Sequence, residues 1–290
     1  MKRRLATIDR RRWLQLVGTG VAGTAFSCGD NLAPDEGAII HEPTVDGFLV
    51  AVWSRYEHQL TVEIRTEGEL VGDTTFDVVP NVATALDVYE LEPDRAYDVT
   101  VIGGQVHTYR ARTAPADDAT RPVRLAVSAD FDPSPEFDSD LCDHIVAAAP
   151  ELFVAIGDFP YTDDGPPAVT LSSYRERHAA LRNAPRLRAV LEAMPLRAIY
   201  DDHEFRDNWD ASRVAAEPDR FAAAMQAWDE FFPLRRPRDD VRYRSVRFNA
   251  GIIDVDAESL TVAGLGADGS RFFQATFSPA ELTPVTTSTL

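Results

Sequence analysis

Cysteine is nearly absent, with two residues in a chain of 290, so a fold stapled by a disulfide framework is excluded. Histidine is scarce as well: there are six, and none stands beyond His203. No apolar run is long enough to span a bilayer as a helix, the longest being an N-terminal stretch of about 10 residues. Basic charge is also short, with 29 Lys and Arg against 47 Asp and Glu and a formal charge of -18. A surface that acidic repels a phosphate backbone, which excludes nucleic acid as a general partner. What remains, 44% hydrophobic and 26% charged, is the composition of a globular protein with room for one large domain or two smaller ones.

The few basic residues are unevenly placed. Lys2, Arg3, Arg4, Arg10, Arg11 and Arg12 fall within Met1 to Cys28, beside one acid, Asp9. Arg10-Arg11-Arg12-Trp13-Leu14 precedes Leu16 to Phe26, a short stretch rich in Gly, Ala and Thr. A basic region before a short apolar one reads as an export signal. The order Arg-Arg-x-aromatic-Leu resembles the twin-arginine signal, with Trp13 in the usual Phe position. Ala25-Phe26-Ser27-Cys28-Gly29 is similar to a lipoprotein cleavage box, which makes Cys28 the expected lipidation site and the first residue of the mature chain. The expectation is a signal over residues 1–28 and a periplasmic or membrane-anchored protein that meets the membrane only through that signal or its lipid. Gly29 to Pro43, with acids, Pro and Gly, reads as a tether, the boundary of the folded part being set at residues 37 and 38.

Residues 38–115 read as a β-sandwich. Phe48 to Trp53, Leu60 to Arg65, Thr75 to Val79, Ala83 to Val88, Tyr97 to Ile102 and His107 to Thr113 are short β-branched or aromatic runs, separated by polar turns. Leu91-Glu92-Pro93-Asp94-Arg95-Ala96-Tyr97 is similar to the tyrosine corner of fibronectin type III modules. His58 and His107 are expected as surface strand residues.

The hydrophobic period changes in residues 116–248. Val123 to Val127, Leu152 to Ile156 and Leu196 to Tyr200 are near-continuous apolar runs of buried-strand length. Between them lie Asp138 to Ala149 and Ser172 to Met194, which read as helices. Strand, helix, strand, helix, strand is the pattern of a parallel sheet covered by helices. Each strand ends in acid: Ser128-Ala129-Asp130-Phe131-Asp132, then Gly157-Asp158-Phe159-Pro160-Tyr161, then Asp201-Asp202-His203-Glu204. Ligands of open α/β sheets sit beyond the carboxyl ends of the strands, so the three clusters are expected in one crevice. Carboxylates packed together repel, and a bound divalent or trivalent cation relieves that repulsion.

These motifs resemble those of the alkaline phosphatase D family of calcineurin-like metallophosphatases. Gly157-Asp158, Tyr161 three residues later, and Asp201-Asp202-His203-Glu204 followed by Asp207-Asn208-Trp209 match that family's pattern, while Asp132 stands where the superfamily has a His. The resemblance implies an α+β and α/β molecule, a fibronectin-III-like β-sandwich followed by part of an α/β/β/α metallophosphatase domain. It implies hydrolysis of a phosphate mono- or diester, with Asp130, Asp158, Tyr161 and Asp202 as metal ligands and His203 as the residue that assists the leaving oxygen. Asp132 and Asn208 are possible secondary members of the site. The family's cations are Ca and Fe; a ligand set of oxygens alone favours Ca, Mg or Mn.

The likeness stops near Phe248, because the family's downstream His motifs are missing. Asn249 to Asp256, and Leu260 to Leu265 turning into Arg271 to Phe277, read as a terminal hairpin, with a tail from Pro279 to Leu290. About 134 residues stand between positions 115 and 248, roughly half of what such a two-layer domain needs. Three readings follow: a short member with impaired or altered activity, a misassembled or internally deleted reading frame, and a non-catalytic exported lipoprotein that keeps the fold for binding.

Overall fold

The computed structural model describes residues 36–116, 119, 121, 123–130 and 141–234, together with six short strands outside these ranges. Arg3–Arg4 (β1) and Ala6–Thr7 (β2) come first; the other four are given below. Cys28, the twin arginines, Asp132 and the expected helix start at Asp138 lie outside the described residues.

Seven strands build the sandwich: β3 (Glu36–Thr44), β4 (Gly47–Ser54), β5 (Gln59–Thr66), β6 (Glu69–Asp77), β7 (Thr84–Val88), β8 (Ala96–Ile102) and β9 (Val106–Arg112). One sheet runs β1-β6-β5-β8-β9. Its strands alternate as a half-buried sheet should, with Leu60, Val62 and Ile64 of β5 and Tyr97, Val99 and Val101 of β8 turned inward. They meet Ala38 and Ile40 of β3 and Phe48, Val50 and Val52 of β4 in one core. The corner forms as the sequence led one to expect: the Glu92 N–H donates to the Tyr97 hydroxyl at 2.9 Å.

The sheet facing it continues into the α/β part. Its order is β10-β11-β12-β3-β4-β7-β2, where β10 is Leu125–Ser128, β11 Leu152–Ile156 and β12 Leu196–Ile199. These last three are parallel and consecutive, as their apolar runs required. β12 then pairs with β3 in parallel, Leu196 opposite His41. Residues 36–43, expected in the tether, are therefore a strand at the middle of a continuous sheet. The tether reading failed for a physical reason. β3 is covered on both faces, so polar and apolar residues are buried alike, and its Glu36, His41, Glu42 and Pro43 resemble linker composition. The polar ones are held: Glu36 accepts from the Gly104 and Gln105 N–H groups and meets His58 Nε2 at 2.9 Å, and Arg197 of β12 reaches Glu42 Oε2 and the Pro43 carbonyl, both at 2.7 Å. His58 is thus partly buried, paired with Glu36, rather than a bare surface residue.

Helices cover one face of this sheet. They are α1 (Leu141–Ala148), α2 (Leu171–Asn183), α3 (Pro185–Ala193), α4 (Ala211–Ala216) and α5 (Pro218–Phe231). The single helix expected over Ser172 to Met194 is broken at Ala184, whose ψ of 120 is extended; the ring of Pro185 disfavours helical backbone in the residue before it and starts α3 instead. Phe153, Ala155, Leu196 and Ala198 face Leu181, Leu187, Val190, Leu191, Trp228, Phe231 and Phe232, and Ile39 and Trp53 of the sandwich join the same cluster. Cys142 is buried there as a small apolar residue.

By sequence alone His178 and the arginines around it could approach a phosphate or lie on a solvated helix face; in the structure His178 is core. It is fully buried and stacked on Phe231 at 5.1 Å between centroids and 9° between planes. Burial, helped by the neighbouring Arg182 charge, holds its pKa well below the ordinary histidine value. The unfolded chain takes up a proton near pH 6.5 that the folded chain refuses, so stability is lost as pH falls through that value. Urea midpoints measured from pH 7.5 to 5.5 are expected to fall more steeply for the native chain than for a His178→Phe variant. Equal slopes would show that His178 contributes nothing to the acid sensitivity.

Beyond α5, β13 (Arg244–Phe248), β14 (Gly251–Val255), β15 (Leu260–Leu265) and β16 (Arg271–Phe277) form an antiparallel meander. The boundary expected at residues 248 and 249 runs through it, since β13 pairs with β14 from Arg244 opposite Val255 to Phe248 opposite Gly251. The three runs expected as the terminal hairpin are thus joined by β13 in a four-stranded sheet.

Candidate metal centre

The crevice lies at the carboxyl ends of β10, β11 and β12, where the three acidic motifs were expected to converge. Each chain turn is tight. Asp130 and Asp158 take positive φ of 52 and 56, and Gly157 takes φ 105. Gly157 is also forced by space: a Cβ there would lie 2.6 Å from the Asp201 Cβ. Glycine therefore lets the loop after β11 pass close to the loop after β12, and left-handed backbone at Asp158 turns its carboxylate into the gap between them.

Asp158, Asp202 and His203 each bring a ligand atom within 4.8 Å of the others. Tyr161 joins them, its hydroxyl 3.0 Å from Asp130 Oδ1 and 3.2 Å from Asp158 Oδ2. All five residues expected in the site are thus brought together. One expectation changes. The ligand set was expected to hold only oxygens, but the His203 ring sits within the donor cluster, so an imidazole is within reach of a cation there. Asn208 enters by its backbone: its N–H donates to Asp202 Oδ2.

The electrostatics of the group fit a cation. Asp158 is only 7% exposed, and its pKa is pushed up to about 7 by burial first and then by the carboxylates of Asp201, Asp202 and Asp130, against the opposing pull of His203. Asp201 is raised by burial and by Asp202 and Asp130. Burial and the Asp158 and Asp130 charges likewise raise Tyr161, which keeps its hydroxyl proton and donates it to those acids. Acid groups held at this cost to their ionised forms are what a divalent or trivalent ion stabilises. Asp130, Asp158, Tyr161, Asp202 and His203 are the residues that could hold one.

Two members of the site were missed in the sequence. Asp163 accepts at Oδ1 from His203 Nδ1–H at 2.8 Å, and its Oδ2 accepts from the Asp207 N–H at 2.6 Å. Burial acts to lower the His203 pKa, but the Asp163 bond and the Asp163, Asp158 and Asp202 charges outweigh it, so the value stands above that of ordinary histidine. Asp163 lies in a Thr-Asp-Asp-Gly turn that reads as solvated, and no spacing signal marks it; only the fold aims it at the ring. Glu204 was visible in its motif but had no role. It is fully buried, and its two oxygens accept from the N–H groups of Phe159 at 2.8 Å and Asp201 at 2.9 Å. One carboxylate so ties the loop after β11 to the loop after β12. Burial pushes its pKa up to about 8.

Removing the Asp163 carboxylate charge is expected to lower kcat of any reaction His203 assists by about 10- to 100-fold, the usual cost of an orienting partner, with KM little changed. Asp163→Asn assayed beside Asp163→Ala tests this, and an unchanged kcat in both would remove Asp163 from the site.

Residues 135–252 match the model of the PhoD-like phosphatase family. The chain is 35% identical over 101 residues to "Alkaline phosphatase D" of Bacillus subtilis (strain 168), an alignment that covers 33% of this chain and 17% of that protein. It superposes on the solved "Structure of PhoD" with a TM-score of 0.65 at 21% identity, over 76% of this chain and 51% of that one. The chain therefore spans about half the length of the solved protein it resembles, and a sixth of the curated one is aligned. The superposition includes more than the matched segment, so the mixed α and β architecture is shared.

Proposed function

We propose that this chain, which belongs to the PhoD-like phosphatase family through residues 135–252, is a metal-dependent hydrolase of phosphate mono- or diesters. The observation that carries the proposal is the convergence of Asp158, Asp202 and His203 within 4.8 Å at two parallel strand ends, with Tyr161 and, from the end of a third strand, Asp130 attached. A cation held by the oxygens of Asp130, Asp158, Tyr161 and Asp202, with His203 left free to act as an acid, would supply Lewis acidity, acidifying water and neutralising phosphoryl charge.

The chain's own residues do the rest. Asp163 fixes His203 Nδ1, which leaves Nε2 as the atom that can carry a proton toward the leaving oxygen. Against the opposing effect of burial, the Asp163 bond and the neighbouring acid charges raise the His203 pKa, which favours the protonated ring. The Tyr161 ring lies against the imidazole, 4.2 Å between centroids, and holds its tilt. Glu204 keeps the two loops at one spacing while charge changes between them.

The twin-arginine pattern at Arg10 and Arg11, and the box around Cys28, support action outside the cytoplasm, with the protein periplasmic or lipid-anchored. A small phosphate ester or an ester-linked polymer is then the substrate class. The full chain, supplied in turn with Ca, Mn and Fe, is expected to release nitrophenol from bis(4-nitrophenyl) phosphate or 4-nitrophenyl phosphate faster than an Asp158→Asn, His203→Ala double variant. Equal rates would sink the enzyme reading and leave the exported binding protein in its place.

A further inference from the structure

The loop from Arg206 to Trp209, between the third acidic motif and α4, presents two consecutive backbone N–H groups to two different acids of the site. The Asp207 N–H donates to Asp163 Oδ2 at 2.6 Å, and the Asn208 N–H donates to Asp202 Oδ2. Asp163 in turn holds His203, and Asp202 is one of the three clustered cation-ligating groups. Asn208 sits at φ 53, the left-handed backbone that aims successive N–H groups to one side. Both side chains that matter most to the proposed chemistry are thus oriented from a single turn.

That turn is fastened from behind. Arg213 donates to the Asp207 carbonyl, opposite the peptide that faces the site. Arg206 and Arg220 share the Glu217 carboxylate, Arg206 at Oε1 and Arg220 at Oε2, the latter at 3.1 Å. Arg220 continues to the Tyr174 hydroxyl at 2.9 Å, and that hydroxyl donates to the Phe205 carbonyl at 2.7 Å. The Arg206 N–H closes on the Asp202 carbonyl at 2.7 Å, and the Trp209 indole N–H reaches the Asp201 carbonyl at 3.3 Å. Glu217 is the acid on which the two guanidinium groups meet; none of these atoms touches the space between Asp158, Asp202 and His203.

We infer that residues 206–209 act as a backbone-amide clamp on Asp202 and Asp163, and that Glu217 is the positioning residue that holds the clamp. The inference rests on the reading of the site as a cation centre and adds to it the part of the chain that sets cation affinity from outside. Partners that orient ligands from the second layer typically govern metal affinity or activity by about 10- to 100-fold.

Terbium is a hard, oxygen-seeking trivalent ion, and Tyr161 lies where it can sensitise its emission. Tb3+ titrations of the full chain are expected to show binding about 10-fold weaker in Glu217→Gln and in Arg213→Gln, with kcat for bis(4-nitrophenyl) phosphate reduced by about the same factor and KM within about twofold. The control is Glu230→Gln, which breaks the buried Arg175–Glu230 pair between α2 and α5; it is expected to lower the melting temperature while leaving Tb3+ affinity unchanged. Far-UV circular dichroism at the titration temperature confirms that each variant is folded, and two variants guard against the loss of one. If native and Glu217 variants bind Tb3+ equally, the clamp is overturned while the cation centre stands. If the native chain binds no Tb3+, both fall. If Tb3+ affinity drops in the variants but no form turns over ester, the clamp holds and the hydrolase reading fails.

Discussion

Asp158→Asn is expected to lower kcat/KM for a phosphate ester by about 10³-fold or more, since a cation's stabilisation of transition-state charge is worth several kcal/mol and each 1.36 kcal/mol is tenfold. The same change is expected to raise the stability of the metal-free chain. Asp158 is buried among three other carboxylates, and its pKa of about 7 stands above the ordinary carboxylate value of about 3.9 in an unfolded chain. A raised pKa contributes stability that is complete below the unfolded value and is lost as pH rises toward the folded one. The neutral amide avoids that loss. Melting temperatures in EDTA, taken at pH 5 and pH 8, are therefore expected to differ less for Asp158→Asn than for the native chain, with the variant the more stable at pH 8. A variant less stable than the native chain at pH 8 would identify Asp158 as a structural residue instead of one held in place for a ligand.

The second large effect is at the seam between sandwich and α/β part. Arg197 and Glu42 are 2% and 4% exposed, their charged atoms 2.7 Å apart, and Arg197 also binds the Pro43 carbonyl. Removing one member of a buried pair leaves the other charge without compensation, which typically costs about 3–5 kcal/mol. Arg197→Met is expected to lose that much in urea unfolding. The double change with Glu42→Gln is expected to recover most of it, because a neutral pair of similar volume carries no stranded charge. If the single change costs less than about 1 kcal/mol, the seam is held by the apolar cluster of Ile39, Trp53, Phe231 and Phe232 alone. The network of Arg121 with Asp94 and Glu151, only partly buried, crosses the same seam, and partial solvent screening makes its loss matter less than that of the buried pair.

Much of the molecule was legible before any coordinates. Apolar runs flanked by acidic motifs located β10, β11 and β12; β11 and β12 are buried along their length, as a parallel strand covered on both faces must be, while β10 lies at the sheet edge with Val127 exposed. The glycine of Gly157-Asp158 marked a tight turn, and the acids after each strand marked the crevice where they converge. β5 and β8 announced themselves by alternation. β3 did not, because a strand covered on both faces by two different cores follows neither rule, and its buried acids mimic a linker. The break at Pro185 was readable from the residue types but was hidden by the helical composition on either side.

Sequence by itself, then, determined the order of elements and the acids and His203 that stand beyond the strand ends, all of which depend on residue type and near-neighbour spacing. Tertiary structure alone decided that the sandwich and the α/β part share one sheet through β3 and β12, that His178 is core and not a phosphate contact, and that Asp163, Glu204 and the 206–209 turn serve the site. Those roles depend on contacts between residues distant along the chain: 155 positions between Glu42 and Arg197, 45 between Phe159 and Glu204, and 40 between Asp163 and His203. Hydrophobic period and motif spacing decay within a few turns of chain, whereas a hydrogen bond requires only that two atoms meet in space.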